Sequence, residues 1–219
     1  MTGSAPHDPP FRAEHIGSLL RPPSLLAARR EHRAGSLGAE ELRAAEDAAI
    51  ADVARLQAEL GLGSITDGEF RRESYSDSFT TAGFESVGVG DGGDGGWSYA
   101  DSTGNQEEGR VAVVGGRLLW TRPVNVENFK YLASVAPAGL PKMTLPGPCY
   151  LHFRAGRDNI SRAAYPDLDL FWQDIVDNYH KEMAALAAAG CRYIQLDETS
   201  IATLGDDAIR GVLKERGDD

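Results

Sequence analysis

The segment Arg192-Tyr-Ile-Gln-Leu-Asp-Glu198 indicates the fold class most clearly, because it is a short apolar strand pattern that ends in two carboxylates. Its three apolar residues predict a strand that is covered on both faces. The segment from Phe171 to Gly190 has a helical period and ends at a glycine, as helices commonly do. A helix followed at once by a strand indicates a βαβ-type unit, in which ligands bind at the carboxyl ends of the strands. Asp197 and Glu198 are therefore candidate site residues.

Composition limits the class of protein. The chain has 219 residues, 42% of them hydrophobic and 25% charged, which is typical of a globular protein with one sizeable core. The net charge of −11 argues against nucleic acid or an anionic membrane as a partner. Residues 1–10 are polar and predict a disordered tail rather than a secretory signal, so we expect a cytoplasmic protein. The two cysteines have no Cys-x-x-Cys spacing and are expected to be reduced thiols.

Strand and helix patterns alternate along most of the chain. Strands are predicted at 11–20, 64–70, 142–148 and 192–198. Helices are predicted from Ser24 to about Arg33, along the apolar stripe Leu42, Ala45, Ala49, Val53, Leu56 and Leu60, and at 126–135, 167–189 and 206–215. Four βα units in this order predict a parallel sheet with right-handed crossovers, and they amount to half of an eight-stranded barrel. The fold class is thus α/β, a half (βα)4 of a TIM-type (βα)8 barrel, over residues 11–219.

The segment from about 80 to 122 interrupts this pattern. Its glycine-rich tract, 88–96, cannot supply a core. The glycine pair Gly115-Gly116 between two apolar runs predicts a hairpin over 110–121. We interpret the whole segment as an insertion, either a functional lid or contact surface or a surface loop without function.

Several segments together resemble one family, the cobalamin-independent methionine synthases and their shorter single-barrel relatives. They are His15-Ile-Gly-Ser-Leu-Leu-Arg-Pro22, Ile65-Thr-Asp-Gly-Glu-Phe-Arg-Arg72, Lys142-Met-Thr-Leu-Pro-Gly-Pro148, Ala189-Gly-Cys-Arg-Tyr193 and Ile194-Gln-Leu-Asp-Glu198. The resemblance covers most of the chain except the glycine-rich insertion. It implies zinc-dependent methyl transfer from 5-methyltetrahydrofolate to the thiol of homocysteine on a (βα)8 barrel.

The resemblance also assigns roles to residues at the strand ends. It implies that Ile16, Gly17 and Ser18 bind the amino-acid substrate through backbone and hydroxyl groups. It implies that Glu69 and Asp197 hold the substrate's ammonium group. The residue types suit these roles, because carboxylates bind ammonium by charge-assisted hydrogen bonds and glycine lets backbone approach a ligand. Caps of helices and structural ion pairs are the alternative roles for the two carboxylates.

Further candidates lie beside these segments. Glu198 is a second carboxylate at the same strand end, and His15 is a candidate general base, anion donor or structural histidine. Three arginines follow strand ends and suit a carboxylate, sulfate or phosphate, or else surface salt bridges. They are Arg21, Arg71 and Arg72.

No metal site is expected within this chain. The family that it resembles holds zinc with residues of the second barrel half. The histidines and cysteines of this chain, His15, His152, His180, Cys149 and Cys191 among them, have no zinc-ligand spacing. A half barrel would also expose two strand edges and an apolar sheet face. We therefore expect a homologous partner chain that supplies the second half, together with any zinc and 5-methyltetrahydrofolate, in a heterodimer; a homodimer is the lesser alternative.

Two enzyme chemistries and one structural role remain open. In the first, a substrate thiol bound to the partner's zinc undergoes methyl or alkyl transfer. In the second, Glu69 or Asp197 accepts a proton from a substrate amine, which displaces a leaving group in its own molecule and closes a small ring such as an aziridine. In the third, the chain is a non-catalytic scaffold subunit or the relic of a degraded gene.

Overall fold

The computed structural model describes residues 13–72, 79, 83–84, 86–90, 98–100, 106–108, 111–136, 138–153 and 156–218. The predicted disordered tail and most of the glycine-rich tract lie outside these residues. The helices are α1 Pro23–Arg33, α2 Ala39–Glu59, α3 Val126–Val135, α4 Tyr150–Phe153, α5 Leu168–Ala188, α6 Thr199–Thr203 and α7 Asp207–Arg216, with a 3-10 turn at Arg157–Asn159. The strands are β1 Ser64–Ile65, β2 Val87–Gly90, β3 Ser98–Ala100, β4 Gln106–Glu108, β5 Val111–Val114, β6 Leu140–Pro146 and β7 Tyr193–Asp197.

The central sheet contains three strands in the order β1-β6-β7. β1 and β6 pair in parallel, with Ser64 opposite Leu140 and Ile65 opposite Pro141. A parallel pair requires a crossover between its strands, and α3 lies in the segment that connects these two. Two antiparallel pairs, β2 with β5 and β3 with β4, lie in the insertion. The predicted α/β class with a parallel sheet is confirmed.

The first predicted strand is wrong. Residues 13–20 contain no strand, whereas Phe11 and Arg12 lie outside the described residues. Gly17 has φ +79°, which breaks an extended chain, and the amide of Leu19 donates to the carbonyl of Gly68 at 3.1 Å. The second predicted strand ends early, at Ile65, because the amides of Phe70 and Arg72 turn back to the carbonyls of Asp67 and Glu69.

The hairpin predicted over 110–121 is also wrong. β5 pairs with β2, from Val87 opposite Val114 to Gly90 opposite Val111, and residues 117–121 do not return along it. Their backbone groups bond to side chains instead: the amide of Leu118 donates to the Tyr165 hydroxyl at 2.6 Å and that of Trp120 to the Asn178 side chain at 2.8 Å. The glycine pair therefore ends β5 without forming a hairpin.

The chain divides into two compact units. Unit one comprises Met1–Tyr75, Asn125–Thr144 and Leu186–Gln195, and unit two comprises Ser76–Val124, Leu145–Ala185 and Leu196–Asp219. The core of unit one is Leu25, Ala49, Ile50, Ala54, Ile65, Phe70, Phe129, Leu132, Met143, Leu186 and Cys191. In unit two, edge-to-face aromatic pairs join the buried Phe79 to Phe84 and Tyr179, at centroid distances of 5.1 and 4.7 Å.

Helix α2 buries the first part of its predicted apolar stripe but not its end: Ala49 lies in the core of unit one, and Leu42 and Val53 pack against that core. Leu56 and Leu60 are 51% and 70% exposed, whereas Glu46 and Gln57 are buried. The Gln57 amide explains the difference, because it accepts from the amide of Thr66 and donates to the carbonyl of Thr66 at 3.0 and 2.8 Å. A buried amide whose donor and acceptor are both satisfied fixes the helix against the end of β1. None of the described helices has the length and apolar character to cross a bilayer.

Candidate functional site

A tight turn follows β1 and determines where Glu69 lies. Gly68 and Glu69 have φ +65° and +59°, and Glu69 is the one non-glycine residue with positive φ among the described residues. Two side chains of the same turn stabilise it. The amide of Gly68 donates to the Thr66 hydroxyl at 3.1 Å, and the amide of Glu69 donates to the Asp67 carboxylate at 2.9 Å. A left-handed glutamate costs roughly 1–2 kcal/mol relative to an ordinary backbone conformation, so the turn holds Glu69 in a strained, fixed position.

The Glu69 carboxylate is buried and lies among hydroxyl groups. Glu69 is 1% exposed. Its Oε2 accepts from the Ser18 hydroxyl at 2.7 Å, its Oε1 accepts from the Thr144 hydroxyl at 3.1 Å, and the Arg72 guanidinium lies 3.5 Å from Oε1. A carboxylate has about four lone-pair sites. The two hydroxyl donors and the Arg72 guanidinium therefore leave lone-pair capacity on the Glu69 carboxylate.

The predicted arginines bind the backbone around this turn. Arg21 donates to the carbonyls of Glu69 and Arg72 at 3.1 and 2.7 Å. Arg72 donates to the carbonyl of Thr144, and the buried Arg29, which no sequence pattern marks as a site residue, donates to the carbonyls of Arg72 and Phe70. These contacts stabilise the turn that carries Glu69.

Arg71 lies apart from the other two predicted arginines and is ion-paired. Its side chain is 7% exposed and lies 2.6 Å from an oxygen of Asp47 and 3.4 Å from one of Glu46, both on α2. Its guanidinium also lies 5.1 Å from the centre of the Tyr131 ring. In this structure Arg71 joins the turn to α2 and α3.

The predicted substrate segment Ile16-Gly17-Ser18 presents side chains to solvent. Ile16 and Ser18 are exposed, and Gly17 has no atom near the position of a Cβ. The structure brings the side chains of Ser18 and Glu69 into contact, and the backbone of Gly17 has open space beside it. The Nε2 atom of His15 is buried and has no hydrogen-bond partner among the described residues.

Glu14 and Lys142 hold the start of this segment, and the sequence alone predicts no role for either. Lys142 is buried on β6 and donates to the Glu14 carboxylate at 3.0 Å and to the carbonyl of His15 at 2.6 Å. Burial alone would raise the pKa of Glu14, but hydrogen bonds from Tyr193 and Lys142 outweigh it and lower that pKa below its usual range. The one sequence feature that points to this contact is the lysine within the apolar strand pattern at 142–148, because a buried lysine needs an acidic partner.

Asp197 and Glu198 belong to unit two. Asp197 is the last residue of β7, and its carbonyl accepts from the amide of Gly147 at 2.8 Å. Glu198 is the N-cap of α6, where its carboxylate accepts from the amides of Ser200 and Cys149 at 3.1 and 3.0 Å. The structure therefore gives Glu198 a capping role.

The described cysteines are unsuited to nucleophilic or metal chemistry. Burial, with the negative charge of Glu198 as the next cause, raises the pKa of Cys149 to about 11, and burial also raises the pKa of Cys191. These shifts disfavour the thiolate form of each cysteine, which is the form that attacks a substrate or binds a metal. Within the part of the chain that the structure describes, no three His, Cys, Asp or Glu residues form a group that could hold a metal ion. These residues do not fit the zinc that the resemblance implies.

Comparison with known proteins supports the resemblance. A family model described as the catalytic domain of cobalamin-independent synthase matches residues 11–211. The uncharacterized protein YxjH of Bacillus subtilis is 34% identical over 215 residues, 96% of this chain and 54% of that protein. Methionine synthase of Sulfurisphaera tokodaii is 29% identical over 86% of this chain and 52% of its own length.

A solved structure agrees with these relatives. The putative vitamin-B12 independent methionine synthase of Listeria monocytogenes superposes with a TM-score of 0.71 at 29% identity, over 94% of this chain and 59% of that one. The chain thus spans about half the length of the relatives that it matches.

Proposed function

The chain belongs to the cobalamin-independent methionine synthase family, and from this premise we propose that it is the part of an enzyme that binds an amino-acid-like substrate for methyl or alkyl transfer. The observation that carries the proposal is the buried carboxylate of Glu69, which a strained turn holds beside the Ser18 hydroxyl. A substrate ammonium is the ligand whose charge and donors suit such a group.

The residues of unit one would act on the substrate by binding and orienting it. Glu69 accepts a hydrogen bond from the ammonium, and the Ser18 hydroxyl, already 2.7 Å from Glu69, fixes the carboxylate's orientation. The exposed backbone at Gly17 allows close approach of the substrate's main-chain atoms. Burial of Glu69 strengthens the ammonium contact, because an ionic hydrogen bond is stronger away from water. The family resemblance implies that Asp197 also binds the ammonium group of the substrate.

We propose further that a homologous partner chain supplies the second barrel half, with any zinc and 5-methyltetrahydrofolate, in a heterodimer. The described residues do not form a zinc site, and in this proposal the partner holds any zinc. Exposed apolar side chains in the last part of unit two support a docked partner. These are Leu196 at 41%, Ile201 at 67%, Leu204 at 41% and Val212 at 45% exposure.

The test is to purify the complex from its own host through a tag on this chain and to record its native mass spectrum. We expect a second subunit and one zinc ion, together with methyl transfer from 5-methyltetrahydrofolate to L-homocysteine. Glu69→Gln and Asp197→Asn should each lower the turnover number at least tenfold without loss of fold, whereas Glu127→Gln on the exposed start of α3 should not. Full activity in both site variants would leave only a scaffold role for this chain.

A second chemistry uses the same carboxylate. In this alternative Glu69, whose oxygens accept from the Ser18 and Thr144 hydroxyls, takes a proton from a substrate amine. The amine nitrogen displaces a leaving group from a carbon of the same molecule, which closes a small ring such as an aziridine. A complex that contains a partner but no zinc, and that converts an amine substrate to a cyclic product without a methyl donor, would replace methyl transfer by this reaction. The same spectrum and assay therefore distinguish the two.

A further inference from the structure

One carboxylate in unit one receives hydrogen bonds from all three strands of the central sheet. Glu14 accepts from Ser64 on β1 at 3.4 Å, from Lys142 on β6 at 3.0 Å and from the Tyr193 hydroxyl on β7 at 2.7 Å. Glu14 precedes the predicted substrate segment in the chain. Its side chain therefore fastens the start of that segment to the sheet, without the backbone ladder that a strand would use.

The ammonium group of Lys142 has a complete set of acceptors. Its three donors go to Glu14 at 3.0 Å, to the carbonyl of His15 at 2.6 Å and to the side-chain oxygen of Gln195 at 2.9 Å. The Lys142 side chain is 0% exposed. A buried ammonium is costly unless it is fully hydrogen-bonded and paired, and these contacts meet both conditions. One of the three, at His15, is to the backbone next to the substrate segment.

The segment is also held at its other end. The Ser18 hydroxyl donates to Glu69 at 2.7 Å, and the amide of Leu19 donates to the carbonyl of Gly68 at 3.1 Å. Gly17, at φ +79° and with no atom within 4 Å of a Cβ position, lies between the attachment at His15 and the one at Ser18. The place of residues 16–18 therefore depends on the attachments on either side.

We propose that Glu14 and Lys142 are positioning residues that hold the Ile16-Gly17-Ser18 backbone where an amino-acid substrate can reach it. This inference rests on the proposed function only for the identity of the ligand. In this proposal the buried ion pair of Glu14 and Lys142 contributes to substrate binding as well as to stability, because Lys142 also holds the carbonyl of His15. Loss of Lys142 should release residues 15–19 while the rest of unit one stays folded.

Hydrogen exchange of the unliganded protein tests the positioning directly. The amide of Leu19 is the probe, and the amide of Leu140, which donates to the carbonyl of Gly63 at 2.9 Å, is the internal reference. In Lys142→Met we expect exchange at Leu19 to rise at least tenfold relative to Leu140. Lys130→Met, on the exposed side of α3, is the matched control and should leave both amides unchanged. Unchanged exchange at Leu19 in Lys142→Met would overturn the proposal.

A double variant separates positioning from stability. Glu14→Gln with Lys142→Met removes both charges, so no unpaired charge remains buried and the melting temperature should recover from that of Lys142→Met. The His15 carbonyl still lacks its donor, so fast exchange at Leu19 should persist. Recovery of both properties would show a purely structural ion pair and would overturn the proposal.

Ligand binding is measured last, by calorimetry of the purified complex with L-homocysteine. Both the single and the double variant should bind at least tenfold more weakly than the wild type, and wild-type affinity in the double variant would overturn the positioning role. If the wild-type complex itself does not bind L-homocysteine, the proposed function fails. The exchange experiment still decides whether Glu14 and Lys142 hold the segment, because it needs no ligand.

Discussion

The backbone of Glu69 makes a prediction about stability that is independent of the ligand. At φ +59° a side chain with a Cβ is disfavoured by roughly 1–2 kcal/mol, whereas glycine adopts this region freely. Glycine, however, gains about 0.5–1 kcal/mol of conformational freedom in the unfolded chain relative to alanine. The difference predicts that Glu69→Gly is more stable than Glu69→Ala by about 1 kcal/mol. Both variants lose the same carboxylate contacts, so the comparison isolates the backbone.

The assay is thermal and urea unfolding of the two variants, followed by circular dichroism. In a protein of this size a change of 1 kcal/mol moves the melting temperature by about 2–4 °C. Glu215, exposed on α7, is the control position. There the order should reverse, with the alanine variant more stable by roughly 1 kcal/mol, because glycine is unfavourable within a helix. A Glu69→Ala variant as stable as Glu69→Gly would refute the left-handed turn.

Three further predictions concern other parts of the molecule. Burial alone would raise the pKa of Asp174, but hydrogen bonds from Arg117 and Tyr165 outweigh it and lower that pKa. Asp174 therefore stabilises the folded state at pH values above its unfolded pKa of about 4. This stabilisation is lost as the pH falls through the lower pKa of the folded state. Between pH 7 and pH 2 the free energy of unfolding should therefore fall less in Asp174→Asn than in the wild type. Glu198→Gln should lower the pKa of the Cys149 thiol and speed its alkylation by iodoacetamide at pH 9, because one cause of the raised pKa is removed; an unchanged rate would contradict this. Gly147→Ala should cost about 1–3 kcal/mol of unfolding free energy, since its Cβ would lie 2.6 Å from the Cα of Glu198; a wild-type melting temperature would show that the chain absorbs the contact.

The sequence predicts those elements whose signal is local. The helices α3 and α5 begin and end within a residue of their periodic patterns. β7 lies inside the strand predicted at 192–198, whereas β6 begins and ends two residues before the strand predicted at 142–148. The resemblance assigned Ser18 and Glu69 to the same substrate, and in the structure the two side chains are hydrogen-bonded to each other. The strand predicted at 11–20 was wrong, because an apolar pattern does not show whether a segment is held by a backbone ladder or by side chains. Here side-chain contacts to distant residues hold the segment.

The missed residues act over long separations or through a turn. Lys142 and Glu14 are 128 residues apart, and Thr144 and Glu69 are 75 apart, so no local pattern connects them. Asp67 supports Glu69 only because the turn is left-handed, which the Asp-Gly-Glu sequence suggests but does not require. Polar residues that start or interrupt buried strand patterns are the signal to examine in related sequences.

Two ligands that differ only in an amine test whether Glu69 binds the ammonium of an amino-acid substrate. The purified complex is titrated with L-homocysteine and with 4-mercaptobutanoate, which lacks only the amine. In the wild type we predict that the amine improves binding about ten- to a hundredfold, from roughly 1.5–3 kcal/mol for a hydrogen bond to a charged group. In Glu69→Gln the preference for L-homocysteine should fall about tenfold, because one charged hydrogen bond is lost and only the contact assigned to Asp197 remains. Undiminished preference for L-homocysteine in Glu69→Gln would contradict the assignment.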